Sequence, residues 1–362
     1  MPGSPAMSQG GTLRRLTKVT AVAGVAALVL AGAGCANNSS SNDDDTASGD
    51  DCVEKVDTKV GMAFDVGGRG DQSFNDSAAK GLDKAECELG FEVQTAEAQD
   101  GEPESAREGR LQQLVDADYN PVIAVGFAYS QAVGKVAKAN PDVDFAIIDD
   151  GVEGENVANL LFAEEQGSFL VGAAAALKSE SGNIGFVGGV ETPLIKKFEV
   201  GYEAGAKAVN PDIEIQARYL TQPPDFSGFG DPAKGKTAAE GMYDKGADVV
   251  YHAAGGSGGG VFEAASAADA KAIGVDSDQA LTADESVRDV ILTSMLKNID
   301  VAVFAYLKGV ADGAAPTGPT VYDLKVDGVG YSTTGGQVDD IADKLDEYKQ
   351  QIVDGEITVP SE

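Results

Sequence analysis

One segment near the start of the sequence combines the residue types that bind a planar polar ligand. The residues DVGGRGDQSFNDSA, at 65–78, place Asp65 at the end of an apolar run, followed by a glycine-rich loop, Phe74 and Asn75. An aromatic ring stacks on a planar heterocycle, and a neighbouring amide forms hydrogen bonds with its polar edges. Side chains of these types bind such a ligand but do not react with it. The alternative is that Phe74 only packs its helix onto its own lobe.

A second glycine-rich segment, GGSGGG at 255–260, follows an apolar run and precedes a predicted helix. Glycines there let a polar ligand approach backbone N–H groups at the helix N-terminus, and the alternative is a flexible turn. A dinucleotide-binding loop requires an acidic strand end about 20 residues later. Asp276 is near that distance but ends the next predicted strand, so we expect a neutral polar ligand.

The segment GDPAKGKT, at 230–237, fits the pattern of a phosphate-binding loop. A true loop of this kind follows a buried strand, but the residues before 230 do not form one. Asp231 would repel phosphate, and Pro232 lacks an N–H donor. The segment therefore indicates the start of a helix with Lys234 and Lys236 on its surface.

Groups for metal or covalent chemistry are scarce. His252 is the only histidine and lies in a predicted core strand, so we interpret it as structural. Asp276 and Asp278 lack the further Asp and Gly of a calcium loop. We predict no catalytic residue, no metal site and no cofactor. The enzymatic alternative is a nucleosidase that uses Asp65, Asp149 and Asp276 for acid–base chemistry.

Length and composition limit the partners. The chain has 362 residues, which suggests two domains, and 43% hydrophobic residues, which suffice for folded cores. Its net charge of −32 argues against binding to nucleic acid or to anionic lipid. The sequence contains no Trp, the residue on which sugar rings often stack. These observations favour a small neutral ligand.

Residues 1–34 have the features of a signal peptide. Three basic residues precede an uncharged run of 16 residues, Val19–Gly34, which is shorter than the ~20 residues of a spanning helix. Cys35 follows directly, so we predict that it becomes the lipidated N-terminus; the alternative is a plain secreted protein. Residues 35–57 are polar and acidic and predict a disordered tether. Within an exported protein, Cys52 and Cys87 form either a disulfide or two free thiols.

From residue 58 onwards, predicted strands and helices alternate, which specifies an α/β fold with two doubly wound, Rossmann-like parallel sheets. Ligands bind at the carboxyl ends of such strands. The tail around Asp327-Gly328 predicts a β-hairpin. The predicted strands are 59–66, 91–98, 121–126, 144–149, 156–163, 183–188, 213–220, 248–253, 271–276 and 290–295, and the predicted helices are 73–89, 104–118, 129–139, 165–178, 194–209, 232–245, 259–270, 300–312 and 338–353.

With these segments in order, the chain resembles the basic membrane protein family of ABC-transporter substrate-binding lipoproteins, the PnrA-like purine nucleoside receptors. The resemblance runs from about residue 58 to 345. Its segments are DVGGRGDQSFNDSA at 65–78, FAIIDD at 145–150, FAEEQGSFLVGAAAAL at 162–177, GFVGGVETPLIKKFEVGYEAG at 185–205, GFGDPAKGK at 228–236, AAGGSGGGVFEAA at 253–265, IGVDSDQ at 273–279 and TSMLKNID at 293–300.

The resemblance implies a type 1 periplasmic-binding-protein fold, with two lobes joined by a hinge that the chain crosses three times. Residues 58–165 with about 291–315 would form the N-terminal lobe, and 166–290 with about 316–362 the C-terminal lobe. It also implies a monomer held by its lipid at the extracytoplasmic face of the cell membrane. That protein would bind a purine nucleoside, such as adenosine, guanosine or inosine, and deliver it to an ABC permease and its ATPase.

The resemblance also implies roles for particular residues. Phe74 would stack on one face of the purine and Phe229 on the other, although Gly228 stands where the family usually has Ser. Asp149 would accept hydrogen bonds from the base nitrogens, but the doubled acid Asp149-Asp150 leaves open which carboxylate faces the ligand.

Four further positions would hold the sugar, and two more would complete the wall of the first lobe. Asp276 would bind the ribose hydroxyls with help from Lys297, while Gly255 and Gly256 bring backbone groups close to the sugar. Asp65 and Asn75 would complete the wall. The alternatives are a sugar or autoinducer receptor of the same fold, or a nucleoside-sensing surface lipoprotein with no role in transport.

Overall fold

The computed structural model describes residues 52–362. The predicted signal peptide, the lipidation of Cys35 and the tether up to residue 51 lie outside the described residues. Within residues 52–362, no helix combines the length and the apolar character needed to cross a membrane.

Twelve strands and ten helices alternate along the described chain. The strands are Lys59–Phe64 (β1), Glu92–Glu97 (β2), Val122–Ala124 (β3), Phe145–Ile148 (β4), Val157–Phe162 (β5), Asn183–Val190 (β6), Glu214–Thr221 (β7), Val249–Ala253 (β8), Lys271–Asp276 (β9), Ile291–Lys297 (β10), Gly318–Tyr322 (β11) and Val329–Tyr331 (β12). The helices are Phe74–Leu89 (α1), Glu104–Asp116 (α2), Ser130–Ala139 (α3), Glu164–Lys178 (α4), Pro193–Val209 (α5), Pro232–Tyr243 (α6), Gly258–Ala268 (α7), Gln279–Thr282 (α8), Ile299–Ala311 (α9) and Ala342–Val353 (α10).

The strands form two six-stranded sheets, one in each lobe. The first lobe has the order β11-β5-β4-β3-β1-β2, and the second has β12-β10-β9-β8-β6-β7. Neighbouring strands are parallel except for β12, which runs antiparallel to β10. This arrangement confirms the predicted α/β class with two doubly wound lobes.

The hydrophobic pattern explains why these segments form a buried sheet. Central strands such as β4 and β6 are buried along their whole length, because helices cover both faces of a parallel sheet. Helix α1 buries one face, formed by Ala78, Ala79, Leu82 and Ala85, as its helical spacing predicts. The carboxyl ends of the strands remain free to carry polar loops.

The chain passes between the two sheets three times: between β5 and β6, between β10 and β11, and between β11 and β12. The sheets differ from the predicted lobe boundaries at two places. Residues 291–297 form β10 of the second lobe, and residues 318–322 form β11 of the first. The second and third crossings therefore fall after Lys297 and after Tyr322.

The predicted hairpin around Asp327-Gly328 is wrong. Strand β11 pairs in parallel with β5 of the first lobe, whereas β12 pairs with β10 of the second. Asp327 does adopt the left-handed φ of 53° that its turn position favours, but the turn belongs to a hinge crossing. A local turn pattern cannot specify the sheet to which each flanking strand is added.

Cys52 and Cys87 form a disulfide, with their Cα atoms 4.5 Å apart. The Val53 N–H also donates to the carbonyl oxygen of Cys87 over 3.0 Å. The disulfide attaches the start of the described chain to the last turn of α1. Of the two alternatives left open by the sequence, the structure contains the disulfide.

Candidate binding cleft between the two lobes

A cavity lies between the carboxyl ends of the two sheets, where ligands of parallel sheets bind. The first lobe contributes Asp65, Val66, Asp71, Phe74, Asn75, Gly126, Phe127 and Asp149, and the second contributes Leu194, Ile195, Phe198, Phe229, Ala253, Gly255, Val275, Asp276 and Lys297. Eight of the nine residues predicted to bind ligand therefore line one cavity.

Asp149 and Asp276 occupy corresponding positions in the two lobes. Asp149 directly follows β4, and Asp276 is the last residue of β9; each strand is the fourth of its sheet along the chain. Both residues have a left-handed φ, 73° and 63° respectively. Asp tolerates this conformation better than most residues, and strained backbone of this kind concentrates at functional sites.

The structure also settles which of the two adjacent acids faces the cavity. Asp149 lines it, whereas Asp150 accepts hydrogen bonds from the Ser130 hydroxyl and the Gly151 N–H. Both carboxylate oxygens of Asp150 therefore already accept hydrogen bonds from groups of the first lobe.

The start of α1 is fixed by Asp71, which sequence analysis did not single out. Its carboxylate accepts hydrogen bonds from the N–H groups of Ser73, Asn75 and Asp76 over 2.8–3.1 Å. It also accepts from the Asn75 amide nitrogen over 3.0 Å, while the Asn75 amide oxygen accepts from the Asp65 N–H over 3.0 Å. Asp71 thus satisfies the free N–H groups of the first helical turn and orients Asn75.

Aromatic rings enter the cavity from both lobes. Phe74, at the first turn of α1, is half-buried, and Phe229 reaches the cavity from the loop after β7. Phe127 of the first lobe, which sequence analysis missed, meets Phe229 edge-on with ring centroids 6.4 Å apart. Phe198 of the second lobe lines the cavity as well; sequence analysis did not select it, although it belongs to the segment of the resemblance at 185–205.

Gly255 and Gly256 differ in their relation to the cavity. Gly255 lines it with a left-handed φ of 52°, and a Cβ there would come within 3.1 Å of the Phe229 carbonyl oxygen. Glycine therefore avoids both a strained backbone and a tight contact at this position. Gly256 does not line the cavity, but it lies beside the same carbonyl oxygen and Asp71.

Lys297 is the only cation among the residues that line the cavity, and it is 1% exposed. Its Nζ lies 2.6 Å from the Asp149 carboxylate of the other lobe and 3.0 Å from Glu164. Sequence analysis missed Glu164, although it belongs to the FAEEQ segment of the resemblance. Charges buried this deeply need partners, which these three groups supply for one another.

Burial and these partners shift the pKa values in the cleft. Burial raises the pKa of Asp65 to about 6, against a backbone hydrogen bond that lowers it. Burial also raises the pKa of Asp276 to about 6 and raises that of Asp149, while the Lys297 charge opposes both shifts. Burial lowers the pKa of Lys297, but Asp149, Glu164 and Asp276 outweigh it and leave that pKa above its ordinary value. The cleft therefore holds a charged ammonium and several carboxyls that titrate closer to neutrality than usual.

Direct hydrogen bonds join the lobes beside the cavity. The Ser73 hydroxyl donates to the Asp276 carboxylate over 2.8 Å, and the Ser277 hydroxyl donates to the Ser73 carbonyl oxygen over 2.9 Å. The Gln279 amide nitrogen donates to the Gln72 carbonyl oxygen over 3.0 Å. These contacts hold the N-terminal end of α1 against the second lobe, so the structure is a closed form.

The remaining sequence motifs lie outside the cavity. Residues 230–237 contain the start of α6, where the Asp231 carboxylate accepts from the Lys234 N–H over 3.0 Å, and a short 3-10 turn precedes it instead of a strand. His252 is completely buried in β8 against Phe262, and burial lowers its pKa to about 4. Among residues 52–362, no cluster of three His, Cys, Asp or Glu side chains has an arrangement suited to a metal ion.

Comparison with known proteins gives the family. The family model described as ABC transporter substrate-binding protein PnrA-like matches residues 58–362. The chain is 38% identical over 334 residues to a "CD4+ T-cell-stimulating antigen" of Listeria innocua, covering 86% of this chain and 90% of that relative. It is 34% identical over 364 residues to the "ABC transporter nucleoside-binding protein BmpA" of Lactococcus lactis subsp. cremoris, covering 96% and 99%.

A solved structure supports the same conclusion. The fold is similar to that of an ABC transporter solute-binding protein from Aeropyrum pernix K1, with a TM-score of 0.72, 31% identity and coverage of 84% of this chain and 94% of that one. The two-lobed, three-crossing architecture and the match over residues 58–362 agree with the resemblance seen in the sequence. The chain belongs to the basic membrane protein family of PnrA-like ABC transporter substrate-binding proteins.

Proposed function

We propose that this protein is an extracytoplasmic lipoprotein that captures a purine nucleoside between its two lobes and delivers it to an ABC permease. The observation that carries this proposal is the pair Phe74 and Phe229, which reach one cavity from opposite lobes. Two rings placed in this way can enclose a planar base when the lobes close. Stacking of a base on an aromatic side chain contributes about 1–3 kcal/mol in single-strand binders.

The polar groups of the cavity suit a neutral ligand that is rich in hydrogen-bond donors. Asp65, Asp149 and Asp276 are acceptors, and Lys297 is the single cation that lines the cavity. A purine base presents N–H groups and a ribose presents hydroxyls, whereas a phosphate would meet an excess of negative charge. An analogue that lacks one of these donors leaves a buried carboxylate unpaired, so the cavity can discriminate strongly between ligands.

We assign the roles within the cavity as follows. Phe74 and Phe229 stack on the base, and Asp149 accepts from the base nitrogens. Asp276 accepts from the ribose hydroxyls, Lys297 helps to hold the sugar, and the backbone at Gly255 and Gly256 lies close to it. Asp65 and Asn75 complete the first-lobe wall, on which the hydrogen bond between them holds the amide in place.

Family membership supports delivery to a permease and an ATPase, since the matching family consists of ABC transporter substrate-binding proteins. The name of the Lactococcus lactis relative, a nucleoside-binding protein, supports the ligand class. The predicted signal peptide and Cys35 support a lipid anchor at the extracytoplasmic face of the membrane. Closure of the lobes on the ligand would give the permease a conformation to recognise.

The direct test is mass spectrometry of the ligand released by denaturing the purified protein, followed by calorimetric titration of ligand-free protein. We expect a purine nucleoside in the released material and binding of adenosine, guanosine or inosine. Heat from ribose or galactose, with none from any nucleoside, would instead assign the protein as a sugar receptor of the same fold. Binding to nucleosides by a protein that does not support their uptake in cells would favour a sensor without transport.

A further inference from the structure

Glu164 is a buried acid that does not line the cavity. It is the first residue of α4, immediately after the first crossing between the lobes, and it is 1% exposed. Its Oε1 lies 3.0 Å from Lys297 Nζ, and its Oε2 lies 3.4 Å from the ammonium of Lys197. A carboxylate is costly to bury, so this position calls for an explanation beyond packing.

The partner of Glu164 links both lobes. Lys297 is the last residue of β10, directly before the second crossing, and its ammonium also bonds to Asp149 of the first lobe. Three rings surround this ammonium, with centroids 5.0–5.5 Å from Nζ: those of Phe74, Phe162 and Phe198. Two carboxylates and three rings thus fix one ammonium at the base of the cleft.

We propose that Glu164 is a positioning residue for the ligand site: it holds the Lys297 ammonium at the junction of the lobes, so that Lys297 and Asp149 present a fixed donor and acceptor to the ligand. This inference rests on the function proposed above. Glu164 itself does not contact the ligand, and it acts through Lys297.

The charges show why Asp149 alone does not suffice. If Asp149 were the only partner of Lys297, then each hydrogen bond that its carboxylate accepted from a ligand would compete with the ion pair. Glu164 supplies a second, permanent partner for the ammonium and leaves Asp149 free to accept from the ligand as well. The Lys197 ammonium and the N-terminus of α4 both attract the Glu164 carboxylate and hold it in place.

The first test removes the charge of Glu164 while keeping the shape of its side chain. We expect E164Q to raise the Kd for inosine about tenfold, equivalent to about 1.4 kcal/mol, in calorimetric titrations. E164D retains the charge with a shorter reach and should recover part of the affinity. The matched control is E165Q, which alters the adjacent half-buried glutamate and should bind as the native protein does. Equal affinities for E164Q and E165Q would overturn the proposal.

The second test shows whether the effect passes through Lys297. In a double-mutant cycle, E164Q should add little to the loss of affinity caused by K297M, because the group that Glu164 positions is gone. If Glu164 were only structural, E164Q would raise the Kd by the same factor in the native protein and in K297M. That result would contradict the proposal. Because K297M removes the cation that Asp149 and Glu164 share, the melting temperature of the double variant should exceed that of K297M alone.

A third measurement needs no ligand. A buried, doubly paired ammonium exchanges its hydrogens slowly, so Lys297 should give a distinct side-chain NH3+ resonance in proton–nitrogen correlation spectra. That resonance should broaden or disappear in E164Q and persist in E165Q; persistence in both would overturn the positioning role. If native protein binds no nucleoside but the resonance behaves as expected, the proposed ligand fails while the positioning of Lys297 stands.

Discussion

The Ser73 hydroxyl of the first lobe donates a hydrogen bond to the Asp276 carboxylate of the second lobe, over 2.8 Å. Ser73 is completely buried and lies directly before Phe74, so this contact joins lobe closure to the placement of the ring. It also occupies one oxygen of the carboxylate to which we assign the ribose hydroxyls. The closed cleft is thus a composite of both lobes.

Removal of this hydroxyl should favour the open form. We expect S73A to raise the Kd for a purine nucleoside several-fold, about 3- to 10-fold for one hydrogen bond to a charged group. Small-angle scattering of the ligand-free variant should show a larger radius of gyration than that of native protein. S168A is a suitable control, since the buried Ser168 hydroxyl contacts Tyr251 within the second lobe. If S73A and S168A bind alike, the cross-lobe bond contributes nothing to closure.

Truncation of the first stacking ring should weaken binding with little effect on folding. We expect F74A to raise the Kd by about tenfold or more, because a base loses one stacking face. The half-buried position of Phe74 means that its loss removes little core packing. F304A removes a half-buried ring of α9 in the same lobe and should leave the affinity unchanged. Native affinity in F74A would place Phe74 outside the binding site.

Nucleoside affinity should fall as the solution is acidified. Burial raises the pKa values of Asp65 and Asp276 to about 6, so these carboxyls gain protons between pH 7 and pH 5 and lose acceptor strength. When ligand binding requires the charged form, the loss approaches about tenfold per pH unit for each group below its pKa. The charged groups that act on Asp276 are Lys297, Asp71 and Glu164, and those that act on Asp65 are Arg107, Glu102 and Arg110.

Calorimetric titrations at pH 7.5, 6.5 and 5.5 would test this dependence. Near pH 6, binding should release protons to the buffer, which is seen as a dependence of the measured heat on the ionisation enthalpy of the buffer. D276N should bind weakly at all three pH values and with a shallower pH dependence. Constant affinity from pH 7.5 to 5.5 would show that neither carboxylate must be charged to hold the ligand.

The Cys52–Cys87 disulfide should contribute stability without contributing affinity. It closes a loop with a sequence separation of 35, for which loop entropy predicts about 3–4 kcal/mol of stabilisation. We expect the free energy of unfolding of C52S/C87S, measured by denaturant titration, to be lower by this amount, whereas nucleoside affinity stays at the native value because neither cysteine lines the cavity. A weaker affinity in the double variant would mean that the attachment of Cys52 to α1 affects the geometry of the cleft.

The sequence by itself determined the elements and their order. Apolar runs such as those of β1 and β4, separated by amphipathic helices, specify parallel sheets covered on both faces, and these patterns are local. Asp65 and Phe74 could be selected from the residue types of the segment at 65–78, and Asp149 and Asp276 stand at predicted strand ends, where ligands bind on parallel sheets. The binding roles of Asp149 and Asp276 came from the family resemblance.

Only the tertiary structure decided which distant residues meet. β11 and β12 carry the same local pattern as a hairpin, yet they join different sheets, since each strand pairs with residues more than 30 positions away along the chain. The choice of Asp149 over Asp150 likewise depends on a backbone turn and on Ser130. The contacts of Ser73 with Asp276 and of Glu164 with Lys297 follow from hydrogen bonding and charge pairing across the cleft, and no spacing rule encodes partners separated by 203 or 133 residues.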